Sequence, residues 1–81
     1  MPNIIIDFND YEDIKDIYKL LNSKLNFPDY FSYNLDSLYD ILGDIEDYTE
    51  IVIKNKDKYE KLYDVFLDAS LINENIKIFS S

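Results

Sequence analysis

The spacing of apolar and polar residues along the chain predicts six elements of secondary structure. Short runs of mostly β-branched residues predict strands over residues 3–8, 50–54 and 75–80. Apolar residues recur at helical spacing within about 11–25, 35–42 and 57–71, which predicts three helices. The predicted order along the chain is therefore β, α, α, β, α, β.

Local signals mark the boundaries of the second predicted helix. Pro28 lacks a backbone donor and biases Phe27 away from helical angles, so residues 27–32 are predicted to form an ordered aromatic loop. Asn34 is a good N-cap, and Gly43 suits the C-terminal cap. Leu35, Leu38 and Leu42 form one apolar edge of the helix between them.

The predicted elements define an α/β fold with a three-stranded parallel sheet. Each connection between strands is long enough for a helical crossover, and crossovers of this kind are right-handed. In the last strand, Ile76 and Ile78 alternate with Lys77 and Phe79, which indicates one wet face. We therefore expect a two-layer domain over residues 1–81, with strand order 1-2-3 and helices mainly on the other face.

Composition narrows the classes of function. The chain contains no Cys and no His, which excludes disulfides and thiolate metal sites, and we expect neither a cofactor nor a metal. Its net charge is −9, and all eight cationic side chains are Lys, which disfavours direct nucleic-acid binding. No secretion signal or membrane-spanning run is recognisable, so we expect a cytoplasmic protein with no membrane partner.

The negative charge is concentrated in one part of the chain. Residues 26–53, the acidic segment, hold seven acidic side chains and no Lys, whereas the remainder holds ten acidic side chains and eight Lys. An acidic surface attracts basic molecules. The charge distribution therefore predicts a basic partner for this segment.

The second predicted helix carries the candidate contact residues. Asp36 and Asp40 are four apart and share a face, where like charges destabilise a helix by a few tenths of a kcal/mol. Tyr39 lies on the same flank, and Tyr30 precedes the helix. The pair could be ordinary solvated surface, but the acidic segment and the neighbouring aromatics favour a protein contact. We expect Phe31 to pack in the core.

Residues 28–40, with the sequence PDYFSYNLDSLYD, resemble the signature segment of the barstar family. Residues 65–69 are similar to a second family segment that ends near an acidic contact residue, and residues 76–80 to the last strand. The chain departs from the family at Ser32, usually Gly, at Tyr39, usually Trp, and at Asp68, where Glu is expected. It also has room for one helix between the last two strands, where two are expected.

The resemblance implies an intracellular inhibitor that blocks a secreted, basic, barnase-like ribonuclease in a 1:1 complex. Asp40 would be the central carboxylate facing the cations that bind phosphate, and Asp36 a second partner for a basic residue. Tyr30 and Tyr39 would be packed aromatics. Two further residues would contribute: Asp68 at the rim, and Asn34 as the helix cap and a contact.

Three other functions are compatible with parts of the pattern. A carboxylate enzyme is disfavoured, because the chain lacks His and Cys and is short for a substrate cleft. A calcium site is disfavoured because the acidic residues at 40–50 lack the ligand spacing and central glycine of an EF-hand. The main alternative is a barstar-fold binding module for another basic toxin or a regulatory protein.

Overall fold

The structure, a computed structural model, describes residues 3–81. It contains three strands and three α-helices in the predicted order: β1 (Asn3–Asp7), α1 (Ile14–Leu25), α2 (Leu35–Gly43), β2 (Thr49–Lys54), α3 (Glu60–Ile72) and β3 (Ile76–Ser80). Short 3-10 turns at Phe8–Asp10 and Lys56–Tyr59 precede α1 and α3. One α-helix therefore lies between β2 and β3, which is the number that the length of this connection predicts.

Local capping shifts two predicted helix starts. The Asp13 carboxylate accepts a hydrogen bond from the Lys15 backbone N–H at 2.9 Å, so α1 begins at Ile14 and not near residue 11. Asn55 adopts a left-handed conformation with φ of 57°, and the chain then makes a 3-10 turn, so α3 begins at Glu60 and not at 57. Periodicity alone cannot locate such starts.

The sheet is parallel throughout, with strand order β1-β2-β3. Ile5 pairs with Val52, and Val52 pairs with Phe79, so these three side chains lie in one row across the same face. That face is open, as the alternation in β3 predicts. Ile5 of β1 lies on this open face and is 63% exposed, so its short β-branched run does not form a strand that is buried on both faces.

The core lies between the other face of the sheet and the helices. Inward side chains such as Ile6 of β1 and Ile53 of β2 join one buried cluster with Leu21 of α1, Leu38 of α2 and Phe66 of α3. Burial of this apolar surface is the main force holding the two layers together. Within residues 3–81, every helix falls short of the apolar length that crossing a bilayer requires.

Candidate protein-binding surface

The loop before α2 is held in place by buried aromatic side chains. The Phe31 ring contacts the rings of Phe27, Tyr33 and Tyr18, with centroid separations of 5.0, 4.9 and 5.7 Å. Phe31 is buried, as predicted. Tyr30, one residue earlier, points the other way and is 71% exposed. The buried Phe31 thus fixes the backbone from which Tyr30 projects.

Hydrogen bonds define the N-terminal end of α2. The Asn34 Oδ1 accepts from the Ser37 backbone N–H at 2.8 Å, so Asn34 is the N-cap that the sequence predicts. The Ser37 hydroxyl in turn accepts from the Ser32 backbone N–H at 3.1 Å. Tyr33 between them is left-handed, with φ of 52°, and its ring contacts make this strained conformation tolerable.

A residue far away in the sequence holds the C-terminal end of α2. Asn73 is 8% exposed, and its Nδ2 donates to the backbone carbonyls of Leu42 and Ile45, each at 2.9 Å. These carbonyls belong to the last turn of α2 and the segment that follows, where acceptors lack intrahelical partners. Asn73 therefore anchors the helix from the junction of α3 and β3.

The predicted role of Gly43 as the C-terminal cap is wrong. Gly43 is the last helical residue, and Asp44 is the cap, with its N–H donating to the Ile41 carbonyl at 3.1 Å. Gly43 serves helix packing instead, because a Cβ there would lie only 3.1 Å from Ile72 Cδ1. The missing side chain lets Ile72 of α3 approach the end of α2.

The apolar edge of α2 faces the core and leaves its acidic face in solvent. Leu38 and Leu42 are fully buried, whereas Asp36 and Asp40 are exposed. Tyr39 is half-buried and packs against the core cluster. The helix thus presents two carboxylates on a backbone that is fixed at both ends.

The structure groups three of the six candidate residues in one depression and places the other three elsewhere. A shallow depression brings together Tyr30, Tyr39 and Asp40. A neighbouring groove between α1 and the start of α2 is lined by Asn34 and Asp36. Asp68 is exposed on α3 and lines neither depression.

Ile72 is a residue of this region that the sequence pattern does not indicate. It is 60% exposed and lines the depression with Tyr39 and Asp40. Asp68 precedes it by four residues on α3, and residues four apart share a helix face. The third predicted helix ends at residue 71 and so does not include Ile72. In the structure, Ile72 lies outside the buried stripe of α3, which consists of Leu62, Phe66 and Ala69. Only the packing of α3 on α2 brings it here.

In the part of the chain that the structure describes, no Lys pairs with a carboxylate of this region. The one ion pair found in residues 3–81 joins Lys19 Nζ and Asp16 Oδ1 on α1, at 4.0 Å. In the same part of the chain, no group of three or more His, Cys, Asp or Glu side chains is placed to hold a metal ion. Asp36 and Asp40 are therefore available to cations of another molecule.

The fold and this surface define a small α/β protein whose second helix exposes an acidic face to solvent. The chain belongs to the barstar family: the family model described as "Barstar (barnase inhibitor)" matches residues 1–79. A relative from Bacillus subtilis (strain 168), named "Putative ribonuclease inhibitor YrdF", is 45% identical over 56 residues. That match covers 68% of this chain and 62% of the length of the relative.

Proposed function

We propose that this protein is an inhibitor of a ribonuclease and not an enzyme. The family match and the name of the B. subtilis relative support an inhibitor role. The observation that carries the proposal is the exposure of Asp36 and Asp40, without cationic partners among residues 3–81, on a helix anchored at both ends. We further propose that the target is a basic, secreted ribonuclease of the barnase type, bound 1:1, and that the inhibitor acts in the cytoplasm.

The chemistry of such a target suits the acidic face of α2. A nuclease active site stabilises phosphate charge with clustered cations, and carboxylates can form charge-assisted hydrogen bonds with the same groups. Asp40 would enter the centre of that site, and Asp36 would engage a neighbouring cation. The carboxylates would then occupy the positions of RNA phosphates and exclude the substrate.

The aromatic residues supply the surroundings that make such charge pairs strong. Tyr30 is exposed, and its backbone is held in place by the buried neighbour Phe31, which suits Tyr30 to pack on the partner. Tyr39 borders the same depression as Asp40. Apolar and aromatic neighbours exclude water from an interfacial ion pair and strengthen it. Ile72 adds an apolar wall beside Asp40, and Asp68 would meet cations at the rim.

Substitution of Asp40 tests the proposal. Truncating one member of a buried interfacial charge pair costs about 2–5 kcal/mol, a range drawn from complexes that include the namesake of this family. Asp40→Ala should therefore weaken inhibition of RNA cleavage by roughly 30-fold to several thousand-fold. Asp57→Ala is the matched control, because Asp57 is exposed on the 3-10 turn before α3.

The assay is RNA cleavage by the basic ribonuclease of the source cell, titrated with each variant. Unfolding curves of both variants confirm that the fold is retained. Equal losses for Asp40→Ala and Asp57→Ala would refute α2 as the contact centre. If the native protein co-purified with a basic partner but left RNA cleavage unchanged, the target would be another basic protein and the ribonuclease assignment would be wrong.

A further inference from the structure

The open face of the sheet carries an apolar row that no part of residues 3–81 covers. Ile5, Val52 and Phe79 are aligned across β1, β2 and β3 by the strand register. Ile5 is 63% and Phe79 48% exposed, and Val52 between them is half-buried. Single exposed apolar residues are common on protein surfaces, whereas here the strand register places three of them side by side across the sheet.

Polar residues flank this row in a specific arrangement. On one side, the register aligns Asn3, Glu50 and Lys77, and on the other it aligns Asp7 with Lys54. The face therefore carries two acidic and two basic side chains, whereas the whole chain has a net charge of −9. It is a nearly neutral surface on a strongly acidic protein.

We propose that this face binds the same face of a second copy of the chain. A two-fold axis in the plane of the interface, perpendicular to the strands and passing by Val52, would make the two β2 strands antiparallel. Glu50 of each copy would then lie opposite Lys54 of the other, two residues on either side of the central Val52 pair. Ile5 and Phe79 would each meet their own counterpart, and Asn3 would meet Asp7.

The charge pattern selects this arrangement over the other two-fold alternative. An axis parallel to the strands would place Glu50 opposite Glu50 and Lys54 opposite Lys54. Like charges directly opposite each other are destabilising, whereas opposite charges stabilise sheet contacts. The antiparallel arrangement is thus the one that pairs Glu50 with Lys54 while the apolar rows of the two copies stay in contact.

The size of the face indicates a weak dimer. Three strands spaced about 4.8 Å apart, each rising about 3.3 Å per residue, cover an area roughly 14 by 17 Å. This is smaller than the roughly 800 Å² per partner of a standard stable interface, so we expect dissociation constants of about 0.1–1 mM. Because both copies are acidic overall, added salt should strengthen the dimer by screening their repulsion.

The dimer is independent of the proposed inhibitory function. The helices pack on the opposite face of the sheet, so α2 of both copies would stay exposed. Salt should weaken binding of α2 to a basic ribonuclease, which is the opposite of its expected effect on the dimer. Failure of one proposal therefore leaves the other intact.

A charge-reversal cycle tests the antiparallel arrangement by sedimentation equilibrium. Glu50→Lys and Lys54→Glu should each raise the dissociation constant at least about tenfold, and the double variant should restore it to within about threefold of the original. The controls are Glu74→Lys and Lys61→Glu, which make the same charge changes at exposed sites away from the sheet. Circular dichroism verifies that each variant is folded.

Two results would overturn the proposal. The first is a chain that remains monomeric at all concentrations up to about 1 mM. That result would overturn the proposal equally if the face were left free, bound another protein, or were covered by a further segment of a longer chain. The second is a dimer that the double variant fails to restore, since the Glu50 and Lys54 side chains would then not face each other. A dimer that is weakened by each single charge reversal and restored by the double variant supports the proposal.

Discussion

Replacing Asn73 with Ala should remove much of the stability of this domain. The Asn73 side chain donates to the Leu42 and Ile45 carbonyls at 2.9 Å each and accepts from the Asn75 backbone N–H at 3.0 Å. A hydrogen bond contributes about 0.5–1.5 kcal/mol net, and a buried group left without a partner costs about 1–3 kcal/mol. The loss of all three should lower the free energy of unfolding by about 2–4 kcal/mol.

The expected change is large compared with the stability of small domains, which is often near 5 kcal/mol. In a domain of this size, each kcal/mol shifts the melting temperature by roughly 4–8 °C, so Asn73→Ala should lower it by roughly 8–32 °C. The backbone bond from the Asn73 N–H to the Ala69 carbonyl remains, so α3 itself should persist. The loss should therefore fall on the attachment of α2.

Urea unfolding followed by circular dichroism measures this loss, with Asn75→Ala as the matched control. The Asn75 side chain makes a single longer bond to the Ile45 carbonyl, at 3.4 Å, so its removal should cost less than about 1 kcal/mol. A lower urea midpoint with an unchanged slope would show a loss of stability in the folded protein. Equal losses for the two variants would refute the argument that Asn73 anchors α2.

Two further predictions concern α2 and the acid stability of the fold. Asn34→Ala removes the N-cap of α2 and should lower the free energy of unfolding by about 1 kcal/mol, with a smaller loss for Asn34→Gly; equal losses in urea unfolding would contradict a capping role. The Asn55 amide and then the Asn9 backbone N–H, both donating to the Asp7 carboxylate, hold its pKa below the usual 3.8. The carboxylate therefore contributes stability that is present above pH 3.8 and lost as the pH falls through its lower folded-state pKa. Asp7→Asn should flatten the decline of the urea midpoint between about pH 5 and pH 2, and parallel curves for the two proteins would count against this account.

Periodic patterns predict the parts of the structure that depend on burial. The apolar edge of α2, at Leu38 and Leu42, faces the core as its spacing predicts. The helical pattern ends at Leu25 in the structure as in the sequence, and Asn34 starts the next helix by a bond to a residue only three positions away. These features are predictable because their causes lie within one or two turns of the chain.

The features missed in the sequence depend on how the elements pack together. Asn73 contacts carbonyls 28 and 31 residues away, and no local pattern distinguishes it from the many other Asn side chains. Ile72 joins the candidate surface through the packing of α3 on α2, where its side chain lies against Gly43. Ile5 belongs to an apolar run, but the strand register, and not hydrophobicity, decides which face of the sheet it occupies.

Because Asn73 anchors α2 from far along the chain, the acidic helix is completed late in synthesis. Every residue of the acidic helix has been synthesised by position 43, and its N-cap forms from immediate neighbours. Its other end gains its side-chain anchor only when Asn73 has been added and α3 has docked. A nascent chain, or one cut before α3, would carry the carboxylates on a frayed helix and bind weakly. Rigid display of the acidic face thus requires that α3 has formed and docked against α2.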